Sequence, residues 1–414
     1  MHILMIADVD LKVEPNHRFF NVVRYVASHA DTVEFVSFRN LYGGEPTHLL
    51  KKIWYSLANL LFDRRQQWQE GNVHYTVIRR LKLPMALRNL LNEFWTYLNL
   101  PNSIKHGRYD ACIHSHPHNA LIVRCMQRHG AYDQVYYDDC DYFGDGPDAI
   151  GPLSRQVLLW KEKRAIKGAD TVFSVSQPLA ILRRSMGTNR VMVSPNGTPV
   201  RHFAAARDKR PHPPTLVYIG LLADGWLLAP VIDAMPRIRA SIPDAQLLII
   251  GYGADRTRLE AQVDDRGLTN CVTFTGRQPY TALPDLLRGA DVALAILTDR
   301  PFNRYACHLK LREYIAAGLP VITSPIGDAA VLVEQSRTGI LLTDDEPDSI
   351  AEAALRLLQD HDFYAYCAEN ARAYAANLDW HMTLAPIVEQ LRANSTRTER
   401  DENSLSFEPT AGKS

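Results

Sequence analysis

The sequence predicts an α/β protein of two doubly wound domains facing each other across a cleft, and three observations carry that prediction. First, the second half contains six short apolar runs: Leu216–Gly220, Gln246–Gly251, Val272–Gly276, Val292–Ile296, Pro320–Thr323 and Gly339–Leu342. They are hydrophobic throughout rather than alternating, as parallel strands covered on both faces must be. Second, amphipathic segments such as Leu228–Ala240, Arg256–Arg266 and Leu309–Ala317 separate the runs, and glycine or proline stands at nearly every junction. A β-α alternation of this kind builds a sheet with right-handed crossovers. Third, the Pro-rich stretch Asp208–Pro214 reads as an exposed, stiffened linker between two such halves.

The first half repeats the pattern less regularly. Its expected strands are Ile3–Ala7, Thr32–Phe38, Val73–Ile78, Ala111–His114, Gln134–Tyr137, Thr171–Val175 and Val191–Val193. Residues 45–110 look like an insertion with two helical patterns around one strand. In the first pattern Leu49, Ile53, Trp54, Leu57, Leu60 and Leu61 share a face; in the second Leu87, Leu90, Leu91, Phe94, Trp95 and Leu98 do. The expected layout is a first Rossmann-like domain over 1–197, a linker over 198–214 and a second Rossmann-like domain over 215–376. A helical segment over 377–394 is expected to return to the first domain, followed by a polar, disordered tail over 395–414.

Composition excludes several classes. The 414 residues carry 46 Lys+Arg against 46 Asp+Glu, so no chain-wide polyanion-binding surface is expected. No apolar stretch approaches the ~20 residues of a membrane-spanning helix. Met1–Ala7 lacks the basic start and cleavage site of a signal peptide. Six cysteines without any C-x-x-C pair suggest neither a disulfide framework nor a zinc site. The expected location is cytoplasmic, with contact at the inner face of the plasma membrane left open. No strand is followed by G-x-G-x-x-G, which argues against a dinucleotide-dependent oxidoreductase.

The strongest local signal for chemistry is His308–Ile322, in which a helix is expected to open near Ala306 and stop at Gly318 before the next strand. Such a helix aims free N–H groups and partial positive charge outward from the carboxyl edge of the sheet, where phosphate oxygens are stabilised. Lys310 adds a cation suited to a diphosphate, and Glu313, three residues on, shares its face and suits a ribose. The same spacing also fits an ordinary surface ion pair.

Lys310-Leu-Arg-Glu-Tyr-Ile-Ala-Ala-Gly-Leu-Pro-Val-Ile322 resembles the K-L-x-E-Y-x-A-x-G-x-P-V-I stretch of glycosyltransferases with the two-domain GT-B architecture, family 4-like. Ala169–Ser176, Val193–Gly197, Tyr218–Gly220 and Phe274–Gly276 are similar to other segments of these enzymes, in the same order. The resemblance implies Rossmann-like domains and a nucleoside-diphosphate sugar donor, uridine-based by preference. It implies that Lys310, Leu311, Glu313 and Gly220 bind that donor, with Gly276 and Arg277 beside the base. It implies no metal and no other cofactor. The sequence departs from the pattern at two points. Tyr305 stands where many members carry a first glutamate, and Leu221–Trp226 lacks their basic pair.

The first domain offers two clusters. Asp138, Asp139 and Asp141 crowd three carboxylates into four residues, which raises at least one pKa and suits a general base. The segment is similar to one in inverting bacterial exopolysaccharide glucuronosyltransferases, and that likeness makes Asp141 the base. His114-Ser-His-Pro-His118 could place three imidazoles on one side of an extended chain for a metal. The resemblance instead sets His116 beside the transferred sugar, as a second catalytic residue. The resemblance implies that Asp10, Asn16 and His17, in the loop after the first strand, face the acceptor, while as plain sequence this is an ordinary polar βα loop. Residues 41–109 hold ten basic and four acidic side chains with interleaved aromatics, which fits an anionic membrane surface or plain core packing. No nucleic-acid recognition module is visible.

The expected function is therefore transfer of a sugar from a nucleoside-diphosphate donor to a glycan or lipid-linked glycan in bacterial surface-polysaccharide biosynthesis. Two alternatives stand beside it: a nucleotide-sugar 2-epimerase, and a non-catalytic glycan- or partner-binding scaffold on the same frame.

Overall fold

The computed structural model describes residues 1–8, 17–39, 65–79, 85–145, 151–188, 190–207, 212–223 and 225–394, by backbone alone at 39, 85–90 and 145. The expected helix around 49–61, the centre of the linker, the tail after 394, and both Asp10 and Asn16 lie outside the described residues. The chain forms two compact units: Met1–Ser174 with Ala180–Ser194 and the chain from Leu384, and Val175–Leu179 with Pro195–Thr383.

The first unit is built on a sheet of eight strands. In chain order they are β1 (His2–Ala7), β2 (Thr32–Arg39), β3 (Arg65–Glu70), β4 (Val73–Arg79), β5 (Tyr109–Ser115), β6 (Tyr132–Asp139), β7 (Thr171–Ser174) and β8 (Val191–Val193). Their spatial order is β3-β4-β2-β1-β5-β6-β7-β8, and every pairing is parallel except β3–β4. The antiparallel β3 is a correction to the single expected strand in 45–110. Its sequence Arg-Gln-Gln-Trp-Gln-Glu is exposed along its whole length and carries no apolar run to announce it. Helices of eight or more residues here are α1 (Arg18–Ala27), α2 (Met85–Asn99), α3 (Ala120–Arg128), α4 (Pro152–Gly168) and α5 (Gln177–Ser185), the last crossing the division between units.

Helix α2 overturns a second expectation. Leu91, Phe94 and Leu98 are 41%, 64% and 53% exposed, whereas Asn92, Glu93, Thr96 and Asn99 are buried. The polar face is drawn inward because Glu93 pairs with the buried Lys161 and accepts the backbone N–H groups of Leu121 and Ile122 at 2.6 and 3.3 Å. Glu93 thereby satisfies two orphan donors at the start of α3. Residues 384–394 belong to the first unit, where Asn394 donates to Tyr136 Oη at 2.7 Å.

The second unit contains β9 (Thr215–Leu221), β10 (Gln246–Tyr252), β11 (Val272–Gly276), β12 (Val292–Ala295), β13 (Val321–Thr323) and β14 (Gly339–Leu341). Its helices of eight or more residues are α6 (Leu228–Ser241), α7 (Arg256–Asp265), α8 (Leu309–Ala316), α9 (Gly327–Ser336), α10 (Pro347–Gln359) and α11 (His361–Tyr374). The sheet is wholly parallel in the order β11-β10-β9-β12-β13-β14. Along β9, Leu216 and Tyr218 enter one core while Val217 and Ile219 enter the other, which explains why the strand reads as an uninterrupted apolar run. In chain-order terms the arrangement is 3-2-1-4-5-6, so connections leave β9 and β12 in opposite directions. A crevice opens at the carboxyl ends of those two strands, where sheets of this topology bind ligands.

Candidate functional site

At that crevice the connection after β12 leads into α8, whose N-cap is His308; the helix starts three residues later than the expected opening at Ala306. Its far end is closed by a Schellman arrangement. Gly318, at φ +77°, donates to Ile315 O at 2.9 Å and Leu319 donates to Tyr314 O at 3.0 Å. The near end keeps its first-turn N–H groups without intrahelical partners, and its cap side chain makes no bond to them. Leu311 contributes only its backbone there. Its side chain is fully buried in the core.

Lys310 turns back from the first turn of α8 onto the end of β9. Its Nζ lies 3.1 Å from the centroid of the Trp226 ring and 4.1 Å from that of Tyr218, shielded from solvent, with no hydrogen-bond partner. Burial holds the ammonium pKa well below its usual value, and the charge of Glu313 opposes the shift. A cation so placed has attractive ring faces but no counter-ion bonded to it, a state that an incoming anion relieves. Gly220 makes the approach feasible: a Cβ there would stand 2.5 Å from Lys310 Nζ, and its φ is +142°. Glu313 is itself buried, so the surface ion pair read as an alternative from the spacing is not what forms.

Trp226 was missed by the sequence reading, which saw the segment only as lacking basic residues. Its loop is fastened by Leu227 N–H to Ile296 O at 3.1 Å and by Asn303 Nδ2 to Gly225 O at 3.1 Å. His308 packs edge-on against Trp226 at 5.0 Å, and burial, with Lys310 and Arg312, pushes its pKa down to about 3. It is therefore a neutral imidazole. Arg312 pairs with buried Asp328 at 2.9 Å and ties α8 to α9. Gly276 ends β11 at φ +70°, and the exposed Arg277 lies over the Tyr252 ring at 5.3 Å, a flat cationic platform at the edge of the same sheet end.

The first unit gathers a different set. Asp138 and Asp139 are the last residues of β6 and fully buried. Each is paired with a buried arginine, and of the crowded trio it is Asp141 whose pKa is raised. Asp138 accepts Nη2 of Arg18 at 2.6 Å, and Asp139 accepts Nε and Nη2 of Arg183, both at 2.9 Å. Arg183 also bonds Glu162 at 2.7 Å. Asp141 remains outside these pairs and partly accessible. Burial first, then the charges of Asp139 and Asp138 against that of Arg18, push its carboxyl up to about 7. A carboxyl titrating there is matched to proton removal near neutral pH.

His116 follows β5 at φ +66°, stacks on His118 at 4.4 Å and meets Phe143 edge-on at 4.3 Å. His114 does not join them, contrary to the three-histidine alternative; it lies under α3 and α4 beside Tyr137 at 5.1 Å, with its pKa pushed down to about 3 by burial. Asp8, at the end of β1, does join: Asp8, His116 and His118 each offer one ligand atom within 4.8 Å of the others. Two imidazoles and a carboxylate form a donor set of the kind that holds divalent zinc. His17 caps α1 with a buried Nδ1 that has no partner, and burial lowers its pKa.

Two parallel doubly wound sheets define a GT-B-fold protein. Residues 213–360 match the family model described as Glycosyl transferases group 1. The chain is 29% identical over 255 residues to a glycogen synthase of Mycobacterium tuberculosis, covering 60% of each. It is 28% identical over 189 residues to that organism's GDP-mannose-dependent alpha-(1-6)-phosphatidylinositol monomannoside mannosyltransferase, covering 44% of this chain and 48% of the relative. It thus spans about 60% or less of the length of these curated relatives. Anabaena Alr3699/HepE, solved in complex with UDP, superposes with a TM-score of 0.68 at 17% identity over 95% of this chain and all of the other. The fold is that of GT-B proteins, and residues 213–360, inside the second unit, match the group 1 glycosyl transferase domain.

Proposed function

We propose that this protein transfers a sugar from a nucleoside-diphosphate sugar to a hydroxyl of a glycan or lipid-linked glycan, in the assembly of a bacterial surface polysaccharide. The observation that carries the reading is Lys310: a shielded amine without a hydrogen-bond partner, beside a glycine and the open start of α8. That arrangement suits a diphosphate leaving group, whose growing charge the amine and the helix end stabilise. Glu313 is assigned to the ribose, and Gly276 with Arg277 to the base. A uridine donor is favoured by the likeness to a protein solved with UDP, and a guanosine donor by the likeness to a GDP-mannose-dependent enzyme.

In the first unit Asp141 is assigned as the base that takes the proton from the acceptor hydroxyl, which corresponds to inversion at the anomeric carbon. His116 is assigned to the sugar pocket and His17 to the acceptor side. No resident metal enters this mechanism, because amine and helix end supply the positive charge. An anionic membrane is proposed to receive the exposed face of α2, in keeping with a lipid-borne acceptor. Among the described residues no helix is long and apolar enough to cross a membrane.

Thermal shift with UDP, GDP and NAD tests the donor assignment. A shift with UDP or GDP that disappears in Lys310→Ala is expected. The absence of a shift with either nucleotide overturns it and favours the scaffold alternative. Release of a free epimerised sugar without acceptor would instead favour the epimerase.

A further inference from the structure

The first unit contains a second cavity that the sugar-transfer reading leaves unused. It has a volume of about 470 Å³ and lies between α3, α4 and the β5–β6 part of the sheet. Its floor is apolar, formed by Ala120, Val123, Val135 and Ala165 together with the ring of His114. Its rim is cationic: Arg124, Lys163, Arg164 and Lys167 line it, all exposed, and no carboxylate is among the described residues around it. Trp160 also lines it and stays 43% exposed, with the Arg164 guanidinium 4.8 Å over its ring.

Two features of this cavity call for a ligand. Four cations of one sign around a low-dielectric opening repel each other and focus a positive potential at its mouth. The half-exposed Trp160 ring at the opening leaves apolar surface in water, a cost that covering it removes. The volume lies within the range of small-molecule sites. A purely polar anion leaves the floor uncovered, and a neutral apolar molecule leaves the rim unpaired.

We infer that this cavity binds an amphipathic anion, with a single aliphatic chain on the floor and a phosphate or carboxylate head among Arg124, Lys163, Arg164 and Lys167. The inference does not depend on the donor site, since every residue involved lies between 114 and 168.

The test is calorimetric titration of the full chain with dodecyl phosphate below its micelle concentration. Butyl phosphate supplies the head without the chain, and dodecyl maltoside the chain without the charge. Dodecyl phosphate is expected to bind one to one, and both comparison compounds at least tenfold more weakly. The double variant Lys163→Gln/Lys167→Gln, at exposed positions, should lower dodecyl phosphate affinity at least tenfold with an unchanged circular dichroism spectrum. Equal binding of dodecyl maltoside, or undiminished affinity in the double variant, overturns the inference. Co-sedimentation with phosphatidylglycerol vesicles identifies the source: charge-dependent vesicle binding marks a membrane lipid, and binding of dodecyl phosphate alone marks a free amphiphile.

Discussion

Lys310 Nζ stands 3.1 Å from the centre of the Trp226 ring although 84 positions separate the two residues, and no hydrogen-bond acceptor accompanies it. Burial lowers its pKa, so the unfolded chain binds more protons than the folded one between that lowered value and about 10.4. The amine therefore makes stability rise with pH across that window. Replacing Lys310 with Met should flatten the rise and stabilise the ligand-free protein at pH 7. A bound diphosphate raises the amine's pKa again, so binding within that window takes up protons. Calorimetry of UDP or GDP binding in buffers of different ionisation enthalpy should then show proton uptake, absent in Lys310→Met. Buffer-independent enthalpies in the parent protein would refute it.

Gly220→Ala tests the same contact from the backbone. The added Cβ would stand 2.5 Å from Lys310 Nζ, at a φ of +142° that side chains rarely adopt. Such strain costs about 1–3 kcal/mol. The amine must move off the aromatic faces, and nucleotide affinity should fall at least tenfold while the remaining sheet stays folded. Undiminished affinity by titration would show that the diphosphate does not use this corner.

For Asp141 the sign of the pH effect is fixed by its raised carboxyl pKa, about 7. A base must be deprotonated, so kcat/KM should decline tenfold per pH unit below that value. Asp141→Asn should retain nucleotide binding and lose transfer by about 10²–10⁴-fold. The folded carboxyl also holds its proton more tightly than the unfolded one near 3.9, so its ionisation costs stability between those pH values. Asp141→Asn should raise the melting temperature at pH 7 as activity disappears. A variant that still turns over removes Asp141 from the role.

Much of the second unit was legible because its central strands β9, β12 and β13 are apolar runs buried on both faces, and Gly318 stops α8 where the helical pattern ends. The first unit hid more. Strand β3 is polar and exposed, held to β4 through the Trp68–Tyr75 stack at 5.0 Å. Hydropathy gave α2 the wrong inner face, because the partner that buries Glu93 is Lys161, 68 residues away. The aspartates looked like a repelling trio because Arg18 and Arg183 approach two of them from distant helices. For α2 and the aspartates, pairing between remote charged residues decided the outcome, and no local pattern encodes it.

Asp8, His116 and His118 make metal independence a sharp question. With Lys310 and the start of α8 neutralising the diphosphate, transfer should survive exhaustive dialysis against EDTA, and zinc should not stimulate it. Activity lost to EDTA and restored by zinc, but not in His118→Ala, would assign the three-residue set to a bound ion and displace His116 from the sugar pocket.

The exposed side chains of α2 bear on membrane contact. Leu91, Phe94 and Leu98 stand outward from a helix whose polar face is pinned inside by Glu93, so solvent meets about three large apolar groups on one stripe. The surrounding 41–109 segment has six more basic than acidic residues. An apolar stripe with a basic surround suits an anionic interface, each cation near the surface contributing about 1 kcal/mol at low salt. Flotation with phosphatidylglycerol vesicles should carry the protein upward, more weakly as salt rises. Phe94→Asp/Leu98→Asp should abolish flotation without lowering the melting temperature, because neither side chain packs in the core. Protein that never floats with anionic vesicles leaves α2 facing water, and the lipid-borne acceptor then loses its structural support.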